Sequence, residues 1–556
     1  MRQSSTRQAT PTAAVATEPG APGRVLRPRY AILLALAGGL LLAGAFPPVG
    51  FWPLAALGPA LLTIALWRQR ARTAAAAGLA FGLAFFFPLL TWLLNVAWYV
   101  WAALAVAEAV LFAVEALGQW LLLRLRAWPL AVAGWWVTAE AIRARWPWGF
   151  PWGRLAMSQS QAPTARWVAV GGPVLLTFLI ALTGACLAWL VLRPLPWPPG
   201  STSGSRGGVS RVGPAIALVA TAGLTTCGAL LPTDPASPAA HQQTAVVAAI
   251  QGDVPRARDL PDELAAETTV TENHVTATDR LAARIRRGAA PKPDVVIWPE
   301  NSTDEDPRFD PSIYNLISGA ATTIGRPILV GAVLQDPERN TGVLWLPGKG
   351  PVAYYVKRHL VPFGEYMPLR GLLDKITSLP SLVPINFTPG HRAVVFHLGK
   401  ITLGDVICYE VGFDGLVRSE VAAGANLLAV QTNDAGFELD GQMGETTQQL
   451  AMAQLRAIEF DRSVVVASTT GVSAVIDPDG TLLARTSTWR QAEIEASVPL
   501  RTTTTLALRL GGWPEGLTSA ATAAALILVV GQLAWRRRRS PGGPTAPGDA
   551  AQDTAE

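Results

Sequence analysis

Apolar residues along this chain gather in long runs before Pro232 and again after Gly516, and the stretch between has the mixed pattern of a folded globular domain. Eight runs are candidate membrane spans: Tyr30–Phe46, Phe51–Trp67, Ala74–Leu94, Trp98–Leu122, Trp128–Ile142, Trp167–Leu192, Val212–Leu231 and Leu517–Trp535. A helix needs about 20 apolar residues to cross a bilayer. Trp128–Ile142 is short and carries Glu140, which makes it the weakest of the eight. The first run ends in Ala43-Gly44-Ala45, a step similar to a leader cleavage site. A second apolar run follows at once and favours a retained span. After the fifth run comes Trp146-Pro147-Trp148-Gly149-Phe150-Pro151-Trp152, whose prolines and glycine exclude regular helix. It predicts either an aromatic-anchored turn at the membrane interface or a loop that touches substrate.

In the middle of the chain the pattern changes. Thr244–Ile250, Asp294–Trp298, Ile328–Val333, Ile401–Ile407, Leu427–Gln431 and Val464–Ala467 predict strands. Several are continuously apolar, as strands covered on both faces are. Leu264–Arg287 and Thr446–Phe460 predict helices. Strands interleaved with helices imply an α/β layered sandwich with its own core. The division is therefore a tail over 1–28, a membrane domain of seven spans over 29–231, an α/β domain over 232–511, a last span over 512–536 and a tail over 537–556. Both tails have the Ala-, Pro- and Gly-rich composition of disordered chain.

Composition agrees with lipid exposure. The chain has 556 residues, 50% hydrophobic and 15% charged, against a usual charged share of about 25%. Many of the 20 Trp lie near the ends of apolar runs, among them Trp52, Trp67, Trp92, Trp128 and Trp535, where an amphipathic ring favours the membrane interface. The net charge of +5 forms no basic stripe interleaved with aromatics, so nucleic acid is not an expected partner. The basic residues mark topology instead. With a cytoplasmic N-terminus, Arg68, Arg70, Arg72, Arg124, Arg126, Arg193, Arg206, Arg211 and Arg536–Arg539 all fall on the cytoplasmic side, as positive-inside placement requires. Arg143, Arg145 and Arg154 fall outside and run against it. Both termini are then cytoplasmic and the α/β domain is extracytoplasmic.

Three central segments carry chemistry. A buried strand runs into Trp298-Pro299-Glu300; a second segment reads Lys357-Arg358-His359-Leu360-Val361-Pro362-Phe363-Gly364-Glu365; a third strand ends in Cys408-Tyr409-Glu410. Strand ends at the rim of a sheet are the usual place for sites in α/β proteins. A thiol attacks as its thiolate, which needs a base or a nearby cation. Glu300 is suited to take that proton, and Lys357 to stabilise thiolate and oxyanion. Together they suffice for acyl transfer without a metal or organic cofactor. Each residue alone also has a plain structural reading: a small core thiol, a solvated lysine, a turn-capping glutamate. Cys186 and Cys227 sit in apolar runs and read as inert core residues. With one cysteine in the α/β region, no disulfide can form within it. His241, His274, His359, His391 and His397 show no metal-ligand spacing, and Gly204–Gly208 reads as a linker.

The order and local sequence of the three segments resemble the nitrilase, or carbon-nitrogen hydrolase, superfamily. The Lys-x-x-Leu-Val-Pro-Phe-Gly-Glu string and the flanking spans resemble one membrane branch of it, the apolipoprotein N-acyltransferases. The resemblance implies an αββα sandwich seated on about eight spans in a bacterial plasma membrane. It implies Glu300 as general base, Lys357 as oxyanion stabiliser and Cys408 as nucleophile, with Glu365, Tyr409 and Glu410 in support. It implies a phospholipid acyl donor and, as acceptor, the α-amine of a diacylglyceryl-modified N-terminal cysteine on an apolipoprotein. Gln251-Gly252-Asp253-Val254-Pro255 and Asn433-Asp434-Ala435 match further family loops. Leu260 stands where a tryptophan is common, and Gly436 where a bulky aromatic is usual, departures that bear on lipid contacts or loop gating. A membrane-tethered amidohydrolase and a non-catalytic membrane scaffold are the competing readings. A single anchor would serve the first, and the retained triad argues against the second.

Overall fold

The computed structural model describes residues 26–192, 212–232, 243–255, 263–375, 383–437 and 443–539. The Gly204–Gly208 stretch, His241, Leu260, Arg193, Arg206 and Arg211 lie outside them, as does most of the sequence assigned to the two tails.

Apolar runs become helices because a backbone in lipid must satisfy its own hydrogen bonds. The first seven described α-helices are α1 (Pro28–Ala43), α2 (Leu54–Leu66), α3 (Ala71–Leu89), α4 (Trp98–Leu122), α5 (Trp128–Arg143), α6 (Val168–Leu192) and α7 (Val212–Thr226). Five described helical stretches are long and apolar enough to cross a membrane: Ala71–Leu89, Trp98–Leu122, Ala165–Leu192, Val212–Leu230 and Trp513–Arg536. The helices α1 and α2 are apolar but shorter. Helix α5 carries Arg143, which pairs with Glu108 of α4 at 3.1 Å inside the bundle. Phe81, Phe85, Phe86, Phe112 and Trp136 fill the space around that pair. Cys186 is buried as expected, but Cys227 is exposed. The reason is that α7 packs on one side only, mainly against α6.

Two six-stranded sheets follow. The chain supplies β1 (Thr244–Gln251), β2 (Val295–Ile297), β3 (Ile328–Leu334), β4 (Arg339–Leu346), β5 (Gly350–Val356), β6 (Val395–Leu398), β7 (Ile401–Ile407), β8 (Leu427–Thr432), β9 (Ser463–Ser468), β10 (Ala474–Ile476), β11 (Leu482–Arg485) and β12 (Ala492–Pro499). One sheet has the order β12-β1-β2-β3-β4-β5 and the other β11-β10-β9-β8-β7-β6. The parallel centres, β1-β2-β3 and β7-β8-β9, contain the six strands read from the sequence. Their inner faces share one dry layer that includes Val247, Val295, Leu329, Leu403, Leu427 and Val465.

Helices cover the outer faces. The first sheet packs on α8 (Glu263–Arg286) and α9 (Pro311–Ile324) through Leu281, Ile313 and Ile317. Asp310 caps α9 by accepting from the backbone N–H of Ser312 and Ile313, and Gly325 closes it in the left-handed conformation. A single turn, α10 (Arg370–Leu373), follows Glu365, and α11 (Asp414–Ala422) and α12 (Gly444–Phe460) cover the second sheet. The result is an αββα sandwich. Its α12 also packs against α6, so Met452 and Leu455 share one core with Leu176 and Ile180 of the bundle. The approach is allowed by a break in α6 at Gly171 and Gly172; a Cβ on Gly172 would stand 3.2 Å from Glu459 Oε1. The chain returns to the bundle through α13 (Leu506–Leu510) and α14 (Trp513–Arg539).

Candidate active site

Strands β2, β5 and β7 deliver three buried polar residues to one place. Glu300 lies three residues past β2, Lys357 directly follows β5 and Cys408 directly follows β7. Their exposures are 4%, 1% and 8%. Lys357 Nζ donates to Glu300 Oε1 at 2.8 Å and to Glu365 Oε1 at 2.9 Å. Asn340 Nδ2 donates to the same two oxygens, at 2.6 and 2.7 Å. The outer oxygens are fixed by backbone: Glu300 Oε2 accepts from the Asn433 N–H at 3.0 Å, and Glu365 Oε2 from the Val361 N–H at 2.7 Å. Two carboxylates are thus clamped symmetrically around one ammonium.

Cys408 sits at φ +52°, in the left-handed region a non-glycine residue rarely adopts. Such strain persists only where surroundings enforce it. Here the enforcing group is Glu410. Its carboxylate accepts from the N–H of Ile407, Arg358 and His359 at 2.8, 2.7 and 3.0 Å, and from the Tyr355 hydroxyl at 2.8 Å. One side chain therefore ties the turn that carries Cys408 to the segment that carries Lys357. Gln449 Nε2 of α12 donates to Cys408 Sγ at 3.6 Å.

Charge at the site follows from burial. Burial and the charge of Glu300 push the Cys408 thiol well above its usual range, against the opposing pull of Lys357 and Thr432. At neutral pH the resting group is a thiol. Burial alone would weaken the Lys357 ammonium, but Glu300 and Glu365 outweigh it and hold the amine charged. The arrangement holds a nucleophile in reserve, a carboxylate to take its proton, and a fixed cation for an oxyanion.

Tyr409 points the other way, to the bundle. Its hydroxyl donates to the Gly149 carbonyl, and its ring stacks on Trp152 at 5.5 Å and 12°. The Trp146–Trp152 segment is irregular, as its prolines required, and adds to the contact that α12 makes with α6 between bundle and sandwich. Trp148 meets Phe363 edge-on at 5.3 Å, and both are exposed. At Gly436 a Cβ would meet nothing within 4 Å. The neighbouring Phe437 supplies an aromatic instead, packed edge-on against Trp92 at 5.3 Å. Among the described residues, no group of three or more His, Cys, Asp or Glu could hold a metal ion.

All six residues singled out in the sequence are placed by these contacts. Asn340 and Gln449 were not among them. The signal for Asn340 was an amide in the polar Arg339-Asn340-Thr341 start of β4, ahead of its apolar Val343–Leu346 run, a segment that did not read as a strand.

Two family descriptions match the chain: the apolipoprotein N-acyltransferase N-terminal domain over residues 38–186, and carbon-nitrogen hydrolase over residues 246–507. An apolipoprotein N-acyltransferase of Mycolicibacterium smegmatis is 38% identical over 536 residues, covering 91% of this chain and 87% of that protein. One from Azotobacter vinelandii is 30% identical over 568 residues, covering 96% and 99%. The solved structure of an amidase from Nesterenkonia sp. aligns with a TM-score of 0.35 at 18% identity, over 49% of this chain and 95% of that one.

Proposed function

The chain belongs to the apolipoprotein N-acyltransferase family, and from that membership we propose the route by which its own residues carry out lipoprotein N-acylation. The observation that carries the reading is the Lys357 ammonium, shared between Glu300 and Glu365 beside a buried, strained Cys408.

In the first half-reaction the acyl donor is a phospholipid. Glu300 takes the thiol proton as Cys408 Sγ attacks the ester carbonyl carbon, forming the C–S bond. Lys357 stabilises the tetrahedral oxyanion. Collapse breaks the ester C–O bond, and Glu300 returns the proton to the departing glycerol oxygen. Cys408 is left as a thioester and a lysophospholipid leaves. In the second half, the α-amine of the diacylglyceryl-cysteine attacks the thioester carbonyl. Glu300 takes a proton from nitrogen, the C–S bond breaks and the proton passes to the Cys408 sulfur. The product is an amide. One site thus serves two lipids in turn, which is ping-pong kinetics. An α-amine has a pKa of about 7.7–8.0, so part of it is neutral near pH 7 and needs only modest activation. Burial of the triad protects the thioester from water.

Both substrates are anchored in a bilayer, and the reading places the eight helices as spans. It puts the sandwich on the extracytoplasmic face of a bacterial plasma membrane, with both termini cytoplasmic. The charge pattern of the loops supports that orientation.

The test is the intact mass of purified wild type and Cys408→Ala after mixing with phospholipid. The expected result is an added acyl mass in wild type only, discharged by a diacylglyceryl-cysteine peptide with formation of an amide. Discharge by water alone, with release of free acid, would instead identify a membrane-tethered hydrolase.

A further inference from the structure

Directly beneath the site, between the two sheets, lies a polar group that the chemistry above does not use. Asp405 stands three residues before Cys408 on β7 and is wholly buried. Its carboxyl oxygens meet no side-chain donor and only the adjacent Val406 amide approaches them, while the side-chain oxygen of the equally buried Gln431 on β8 has no hydrogen-bond partner. The groups are adjacent. A Cβ added to Gly342 of β4 would stand 1.8 Å from Asp405 Oδ2 and 2.9 Å from Gln431 Oε1. The absence of a side chain at Gly342 is what makes room for them between the sheets.

Three acceptors without side-chain donors, packed together in a largely apolar layer, are costly while the carboxyl is charged, since each gives up solvent on folding. Flipping the Gln431 amide does not help. Its Nε2 donates to the Trp298 carbonyl at 2.5 Å, and a flip would set oxygen against oxygen. No cation answers the carboxyl either. Burial disfavours its ionisation most, the charges of Glu410, Glu420 and Glu300 add to that, and the Val406 amide opposes them without outweighing them. A single proton resolves the conflict.

We propose that Asp405 is a positioning residue of the acyl-transfer site, held as a neutral carboxylic acid whose hydroxyl donates to Gln431 Oε1. The bond joins β7, which presents Cys408, to β8, which leads into Thr432 and Asn433. Thr432 interacts with the Cys408 thiol and the Asn433 N–H holds Glu300. Through Nε2, Gln431 extends the link to the carbonyl of Trp298, two residues before Glu300. The Asp405–Gln431 bond within one sheet, carried across to the other by the Gln431–Trp298 bond, therefore fixes the nucleophile strand relative to the base strand. The role rests on the acyl-transfer reading; the protonation does not.

The experiment compares wild type, Asp405→Asn, Asp405→Ala and Gln431→Leu, purified in detergent. Infrared difference spectra of wild type minus Asp405→Asn at neutral pH should show the carbonyl stretch of a protonated carboxylic acid. Single-turnover acylation by phospholipid gives the second readout. Asp405→Asn keeps a donor in the same place without charge and should stay within about threefold of wild type, whereas Asp405→Ala and Gln431→Leu should slow acylation by roughly tenfold to a hundredfold with little change in the phospholipid concentration needed, since small misplacements of reacting groups are that costly. Absence of the acid band, or an Asp405→Asn rate as low as that of Asp405→Ala, overturns the proposal. If Asp405→Ala does not fold, the asparagine variant and the spectrum still decide. If wild type takes up no acyl group at all, the acyl-transfer reading fails, and the infrared band still tests the protonation.

Discussion

Asn340 shows how tightly the reacting residues are held. A single amide nitrogen bridges Glu300 and Glu365 at 2.6 and 2.7 Å, inside the span that Lys357 also bridges. Without it, the buried Glu300 and half-buried Glu365 carboxylates would share one ammonium as their only common donor. They would repel, and Glu300 would drift from the sulfur that it deprotonates in the proposed route. We expect Asn340→Ala to slow thioester formation on the order of 100-fold, with the fold retained, because positioning at this precision carries that much of the rate. Rapid-quench measurement of the acyl-enzyme checks it. A rate near wild type would mean that Lys357 alone keeps the two carboxylates in place. The same residue marks a limit of the sequence. Glu300, Lys357 and Cys408 were legible because each ends or follows a recognisable segment and their chemistry is interdependent. Asn340 lies in Arg339–Leu346, whose partners come from β3 and β5, and its role exists only once that strand is paired.

At the scale of elements, burial on both faces decided what could be read. The central parallel strands are buried along nearly their whole length and mostly apolar, and β7 has the expected bounds, Ile401–Ile407. The edge strands β5, β11 and β12 alternate buried and exposed positions or mix charge with apolar residues, as in Ala-Glu-Ile-Glu-Ala-Ser-Val-Pro of β12. Their identity comes from pairing, not from local pattern. Helix α8 was legible, but its polar interior was not. His274 is wholly buried against Trp298, with a ring separation of 5.6 Å, and its Nδ1 bonds the Val270 carbonyl at 2.7 Å. Burial pushes its pKa down to about 4 from 6.5, despite that bond. The native imidazole is neutral, so between those values the unfolded chain binds more protons than the folded one. Stability from this group is fully present above pH 6.5 and is lost as pH falls toward 4. The loss amounts to about 3 kcal/mol at its limit. His274→Gln should flatten that part of the pH profile of thermal unfolding in detergent. An unchanged acid limb would mean that the ring already reaches a proton acceptor in the native state.

The whole molecule is a sandwich resting on a membrane bundle, and a chain of charges joins them alongside apolar contacts and hydrogen bonds such as that of Tyr409 to the Gly149 carbonyl. Arg154, in the segment between α5 and α6, donates to both oxygens of Asp414 at 2.9 and 3.0 Å. Its Nε lies 3.8 Å from Glu140 of α5. On the far side of Asp414, Arg456 of α12 approaches at 2.5 Å and pairs in turn with Glu459. Burial would raise the Asp414 carboxyl, but Arg154 and Arg456 outweigh it and hold it well below the usual range. Arg154 was one of three residues, with Arg143 and Arg145, that fitted the topological charge rule poorly. Its place is explained by this interface, where it is 5% exposed and answers a carboxylate 260 positions away. Removing one member leaves the other with a single remaining partner, Arg456 for the half-buried Asp414 and Glu140 for Arg154, so the cost is that of a lost hydrogen bond to a charged group, about 1.5–3 kcal/mol. We expect Arg154→Met and Asp414→Leu each to lower stability by that order, and the double variant to lose much less than the sum. Unfolding in detergent followed by tryptophan emission measures the cycle. Coupling near zero would mean that the apolar seat of α12 on α6 alone holds the sandwich over the bilayer. Strong coupling with slowed acylation in both single variants would mean that the height and tilt of the active site above the lipid are set by this one ion pair.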